Sequence, residues 1–272
     1  MTEEPELITL PDTEVVTGNK YERIIRAGFF AHYEPGLTSF EFTRDDISGA
    51  SVGETPKNIG DIIYTFRYRK PLPKDIQECA PEGHSWIIEG VGNGLYRFRA
   101  VIESEFTPDP DLKPIVLSDR TPEDVIEYGK ANDEQAILAM MAYNRLLDIF
   151  LWCRLERKQG HWRTNVKGIG QIEIDDVYIG NNGCDGAKVV VTVQAKRDKD
   201  RISSVQILQD IRACEEYGDG RICRPVAVHY DSHTHRLALM EFALIDIGIV
   251  KIINEKHYLL QKPQIVKWPS FE

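Results

Sequence analysis

G-Q-I-E-I-D-D-V-Y-I-G at residues 170–180, followed after a short loop by V-V-V-T-V-Q-A-K at 189–196, decides how this chain is read. Side chains two apart on a strand share a face, so Glu173 and Asp175 are expected to point the same way, as are Gln194 and Lys196 on the next segment. The second segment is β-branched and nearly all apolar, which suits a central strand buried on both faces. Between the two, G-N-N-G-C-D-G at 180–186 is a hairpin loop, so the strands pair and bring both carboxylates toward Gln194 and Lys196. Strand propensity disfavours Asp and Glu, which makes the acids in an isoleucine-rich strand a signal for chemistry rather than for fold.

The chemistry that needs this set is phosphodiester hydrolysis. Carboxylates held at one spot repel unless a cation joins them, and hard oxygen donors suit Mg²⁺, with Mn²⁺ able to substitute. Such a metal polarises a phosphoryl oxygen and lowers the pKa of a bound water. Lys196 can orient or deprotonate that water, and the Gln194 amide oxygen can help to hold metal or water. The plainer alternative is a pair of solvated carboxylates and a lysine at a strand end.

The wider chain gives this centre a frame. An α-helix is expected from Asp133 to about Arg157, with Ile137, Met140, Met141, Leu147 and Leu151 on its apolar face. A second follows the hairpin from about Ser203 to Tyr217, and then strands near Arg224–Tyr230 and Leu237–Ile245. The order is an α/β core over residues 123–272. Prolines 108, 110, 114 and 122 and three aspartates, without periodicity, mark 104–122 as a linker. Residues 1–18 read as a flexible arm, acidic and without a secretory h-region. Between arm and linker, Asn19 caps a helix ending near Gly28, Thr43-Arg-Asp-Asp-Ile starts another, and Thr55-Pro56 starts a third with Ile59, Ile62, Ile63 and Phe66 buried. A hairpin around Gly92-Asn93-Gly94 completes residues 19–103, which resemble a winged-helix DNA-recognition domain. Its third helix would turn Lys57, Asn58, Thr65, Arg67, Arg69 and Lys70 toward DNA, Asn58, Thr65 and Arg69 as base readers.

The 272 residues carry a formal net charge of −10, which argues against a nonspecific nucleic-acid coat protein but not against a local basic cleft. Residues 57–74 hold five basic side chains against one acidic, and 154–167 the same. His161 and Arg163, in the second stretch, are candidate phosphate contacts. Five cysteines, odd in number and without a C-x-x-C pair, point to a reduced, cytoplasmic setting. His229, His233 and His235 lack the register of a zinc site.

The stretch K-G-I-G-Q-I-E-I-D-D-V-Y-I-G at 167–180, through Q-A-K at 194–196 and V-Q-I-L-Q-D at 205–210 to I-C-R-P at 222–225, resembles the PD-(D/E)XK nucleases, in particular bacterial restriction-endonuclease-like proteins. Within it, G-Q-I-E resembles the glycine-x-isoleucine-acid step of RecB-like nucleases. The resemblance covers about residues 130–245. It implies a restriction-endonuclease-like fold, a mixed central sheet flanked by helices. It also implies Glu173 and Asp175 as metal-binding acids, Gln194 in the middle-acid position and Lys196 as the catalytic lysine. The proline–aspartate pair is absent, which leaves the principal ligand open among Glu173, Asp175 and Asp176, and Gln194 brings no second charge. Glu134 or Asp148 could add a helix acid, and Gln206 and Gln209 could face the cleft. The activity expected is Mg²⁺-dependent cleavage of double-stranded DNA by a homodimeric type II restriction enzyme. A structure-specific or repair nuclease and a catalytically inactive DNA-binding protein stand as alternatives.

Overall fold

The computed structural model describes residues 19–50, 58–102, 104–125, 133–246 and 249–262. The first unit runs α1 (Lys20–Phe30), β1 (Ser39–Thr43), α2 (Arg44–Ala50), α3 (Ile59–Tyr64), a π-helical turn (Thr65–Arg69), α4 (Lys74–Glu78), β2 (Ser85–Gly92) and β3 (Leu95–Val101). Its three strands form an antiparallel sheet in the order β1-β3-β2. Asn19 opens α1 with a reciprocal cap, its Oδ1 accepting from the Glu22 amide at 3.1 Å while Glu22 accepts from the Asn19 amide. Gly28 does not end this helix as expected. It lies inside it because α2 packs there, and a Cβ would stand 2.1 Å from Cδ1 of the buried Ile47. Ile24, Ile25, Phe29, Ile62, Ile63, Phe66, Trp86 and Phe98 fill the core between helices and sheet.

The expected helix start at Thr55-Pro56 and Lys57 lies outside the described residues, as does the arm at 1–18. From Asn58 onward Ile62, Ile63 and Phe66 of the expected apolar stripe are buried and Ile59 is half-buried. The helix does not continue evenly, however, and widens to a π turn at Thr65–Arg69.

The span read as a linker is built into the fold. Its β4 (Glu105–Phe106) pairs with a later short strand, and its β5 (Ile115–Ser118) forms one edge of the large sheet. Pro114 directly precedes β5, a position where its missing N–H costs no ladder bond. Phe106 is buried against Phe242, their ring centres 4.9 Å apart.

The second unit continues with α5 (Asp133–Tyr143), α6 (Leu146–Leu151), β6 (Cys153–Val166), β7 (Gly170–Asn182), β8 (Lys188–Arg197), β9 (Ile202–Ser203), α7 (Ser204–Tyr217), β10 (Ile222–Asp231), β11 (Arg236–Asp246) and β12 (Ile249–Gln261). The single helix expected over 133–157 is two helices and the start of a strand. The Asn144 amide nitrogen bonds Met140 O, Asp119 and Thr121, and Arg145 takes the left-handed conformation, φ 51°. These tertiary bonds break the helix at a point its own apolar pattern does not mark. Cys153 therefore begins β6 rather than sitting in a helix.

The seven-stranded sheet has the order β5-β12-β11-β10-β8-β7-β6. Strands β6, β7 and β8 form an antiparallel meander; α7 then crosses over so that β10 lies parallel to β8. Helices α5 and α6 cover one face, meeting Val189, Val191, Val193 and Ala195 of β8. Helix α7 covers the other, where Ala213 and Cys214 meet Val190. Both faces of β8 are thus buried, as its composition indicated. Tyr68 in the π turn donates to Gln209 Oε1 on α7 at 2.9 Å, and β2 passes so close to the β6–β7 turn that a Cβ on Gly90 would lie 2.2 Å from the carbonyl oxygen of Ile169. The two units therefore dock through α7 and that turn.

Candidate active site

Strands β7 and β8 are in register from Asn181↔Lys188 to Asp176↔Val193, and there the ladder ends. Beyond it Asp175 Oδ2 accepts the backbone N–H of Ala195 at 2.8 Å, and Gln194 Nε2 donates to the Glu173 carbonyl at 3.3 Å. Side chains have replaced main chain in the ladder, so the strands splay at the four residues singled out. The strict alternation of β7 breaks at the same place: Ile172 and Ile174 share a hydrophobic cluster with Val177. Opposite this break, β6 pairs Gly160 with Asp176 and Trp162 with Ile174, and His161 between them has φ 45°. At this break Asp175 turns to the Ala195 amide and Glu173 to Arg163 and His161.

Asp175 is the centre of the group. It is 8% exposed, and its pKa is pushed up to about 6, first by burial and then by the charges of Glu134 and Glu173, against the Ala195 N–H and Lys196, which favour the ion. Lys196, its side chain 12% exposed, places Nζ 3.7 Å from Glu134 at the start of α5. Of the two helix acids considered, Glu134 thus stands beside Lys196. Asp148 does not: it accepts the Leu155 N–H at 3.1 Å and pairs with Arg145, holding the α6–β6 turn.

Glu173 is half-buried and faces the Arg163 guanidinium, Nε at 3.1 Å, and the His161 ring, Nδ1 at 3.4 Å. The two candidate phosphate contacts therefore stand at the rim of the site, engaged with one of its acids. Asp176 is directed elsewhere. It is fully buried and bound by Arg157 and by the Tyr178 hydroxyl. Gln209, expected in the cleft, serves the Tyr68 contact instead. His229, His233 and His235 form separate local bonds, to Asp198 O, Asp231 and Tyr230, and do not converge.

One residue was missed. Asp210 on α7 is 1% exposed, and both its oxygens lie within hydrogen-bond distance of the Gln194 amide nitrogen, at 3.1 and 3.3 Å. Burial drives its carboxyl well above the usual range, with the Asp175 charge adding to the effect. Its signal in the sequence was an acid on the inner stripe of a helix whose neighbours Ile207, Ile211 and Cys214 are apolar. Gln206 stands one turn earlier, with a buried amide oxygen that has no hydrogen-bond partner among the described residues.

Three features fit a hard divalent cation at this place. The Asp175 charge lies desolvated beside two further carboxylates, a field that a cation would relieve. The Gln194 nitrogen is committed to acceptors, which leaves its carbonyl oxygen as the available end. The group lies at the carboxyl end of β8, next to the crossover, where open α/β sheets carry their ligands. Among the described residues no three His, Cys, Asp or Glu side chains cluster closely enough to hold an ion alone, so amide oxygen and water would complete the shell. A cavity of about 480 Å³ between Trp152, Ile222, Arg224, Glu241 and Ile253 lies at the opposite ends of β8 and β10.

In residues 58–70, three side chains expected to face DNA are otherwise engaged. Asn58 caps α3 by accepting the Asp61 N–H at 3.3 Å; Thr65 is buried and donates to Asp61 O at 2.8 Å. Arg67 is turned inward over Tyr68 and Tyr96, with Nε and Nη2 out of reach of solvent. Arg69 and Lys70 remain exposed.

Compared with known proteins, the chain matches no family model, no curated protein and no solved structure. Among the described residues no helix is long and apolar enough to cross a membrane, and the five cysteines are free.

Proposed function

We propose that the chain is a metal-dependent DNA endonuclease of the PD-(D/E)XK type. The observation that carries this reading is the splay of β7 from β8 at Asp175, with Gln194, Lys196 and Glu134 around it. Helix, three-stranded meander, crossover helix and parallel strand is the order of elements in the restriction-endonuclease-like core that the sequence resembles. Asp175 and the Gln194 carbonyl would hold Mg²⁺ or Mn²⁺, and Glu173 would join on releasing Arg163 and His161. When bound, the ion would polarise a phosphoryl oxygen and acidify a water. Lys196, directed by Glu134, would orient the attacking water and face the developing negative charge. Arg163 and His161, freed from Glu173, would engage the phosphate backbone.

The order α1-β1-α2-α3, π turn, α4-β2-β3, with sheet order β1-β3-β2, resembles a winged helix and supports a DNA-reading role for residues 19–103. Double-strand cleavage would call for a homodimer. A structure-specific or repair nuclease is the second reading, favoured by one observation: the Asn58 oxygen caps α3 and Thr65 and Arg67 face inward, which among the described reader candidates of residues 19–103 leaves Arg69 and Lys70 exposed without such a role.

Supercoiled unmethylated plasmid and phage DNA incubated with the protein tests the proposal. Cleavage is expected with Mg²⁺ or Mn²⁺ and none in EDTA, with discrete fragments for a restriction enzyme. Lys196→Ala should slow cleavage by about 10²-fold or more while DNA binding holds. Undiminished cutting in chelator would remove the metal mechanism.

A further inference from the structure

Glutamine stands at 194 where the resemblance places an acid, and the side chain it touches is itself an acid. The Gln194 nitrogen lies within hydrogen-bond distance of both Asp210 oxygens and of the Glu173 carbonyl. The Glu173 carbonyl can only accept, so a flipped amide would set oxygen against oxygen. Gln194 is 2% exposed and Asp210 1%, so neither has water to replace the other. A glutamate at 194 would press its carboxylate against Asp210, beside Asp175. Like charges so close and so dry cannot all be kept. An acid is therefore tolerated at 194 or at 210, not at both.

We propose that Asp210 is a positioning residue of the nuclease site: it carries on helix α7 the acid missing from strand β8 and fixes the Gln194 carbonyl toward the cation. This rests on the nuclease reading above. Hydrogen bonding of the amide nitrogen to a carboxylate polarises the amide, which strengthens the oxygen at its other end as a ligand. The pair is then equivalent to one acid shared between two elements, and exchanging its members should preserve its function.

The test compares the full-length wild type with Gln194→Glu, Asp210→Asn and the double exchange, by thermal unfolding in EDTA and by calorimetric titration with MgCl₂. Gln194→Glu should unfold at a lower temperature than the wild type, and the double exchange should recover that loss. Asp210→Asn should bind Mg²⁺ about 10–100-fold more weakly, the range for outer-shell partners of metal ligands. The double exchange should return to within a few-fold of wild type. A purely structural pair would recover the unfolding temperature without the Mg²⁺ affinity, and that result would overturn the proposal. So would Asp210→Asn binding Mg²⁺ as the wild type does. Plasmid nicking run alongside separates the two ideas: a wild type that neither binds Mg²⁺ nor nicks DNA ends the nuclease reading itself. A wild type that nicks with Mg²⁺, matched in binding and nicking by Asp210→Asn, ends only the role of Asp210.

Discussion

Asp175→Asn should make the protein more stable and less active at once. The carboxyl is 8% exposed and titrates at about 6, against 3.8 in an open chain. Each pKa unit is about 1.4 kcal/mol, so the ionised form costs the folded state about 3 kcal/mol at neutral pH. The folded protein holds this proton more tightly than the unfolded chain does. The cost is therefore absent below pH 3.8, grows as the pH rises through 6 and is constant above it. Asparagine has the same shape, keeps an oxygen for the Ala195 N–H and carries no charge. It gives up the attraction to Lys196, which the net shift already contains. Stability at pH 7.5 should rise by about 1–3 kcal/mol, which is several degrees in Tm for a chain of this size. At pH 4.5 the gain should shrink to about 1 kcal/mol or less. Scanning fluorimetry in EDTA at the two pH values checks both numbers. Adding Mg²⁺ should then stabilise the wild type and not the variant, and DNA cleavage should be lost. A lower Tm for the variant at pH 7.5, or a gain independent of pH, would refute the reasoning that Asp175 is held ionised against its surroundings.

Asn58→Ala removes the α3 cap and should cost about 1 kcal/mol of stability, measured by urea unfolding, with DNA affinity unchanged once the protein is folded. Arg69→Ala with Lys70→Ala should do the reverse, leaving unfolding alone while weakening DNA binding and flattening its salt dependence, read by fluorescence anisotropy between 50 and 200 mM salt. Gly90→Ala would drive a Cβ into the Ile169 carbonyl and toward the Arg67 guanidinium. It should cost about 1–3 kcal/mol and expose the junction of the two units to limited proteolysis.

The parts of the fold that were legible are those whose signal is local. The capped start of α1, the Gly-rich turn between β2 and β3, the β7–β8 hairpin and the Ser203 cap of α7 are each written in adjacent residues. What was missed depends on distant partners. Strand β6 is an edge strand whose residues between Leu155 and Val166 are mostly exposed, so it carries little apolar alternation. The helix break before it is made by Asp119 and Thr121, more than twenty residues upstream. Strand β12 pairs with β11 through two irregularities, and its burial follows no period of two, so no reading of 249–261 emerged. The internal uses of Asn58, Thr65 and Arg67 were illegible for a related reason: a polar residue on a helix looks the same whether it meets solvent, its own backbone or a tyrosine.

The site divides in the same way. Glu173, Asp175, Gln194 and Lys196 stood out because polar residues interrupt apolar strands, and the structure gathers Asp175, Gln194 and Lys196 around the point where those strands part. Asp210 sits on a helix, where an acid every few residues is unremarkable, and only its complete burial against Gln194 sets it apart. Natural folds keep such conflicts few, because net stability is only about 5–15 kcal/mol. A carboxylate that costs about 3 kcal/mol at neutral pH is a large fraction of that. Valine or threonine at 175 would extend the ladder between β7 and β8 at no such cost. Local departures from what packing favours gather at functional sites. Here four departures meet at one point: a desolvated aspartate, a ladder broken by side chains, a half-buried lysine and a buried acid paired to an amide. Their coincidence at the carboxyl end of β8 is the physical ground for proposing the chemistry there.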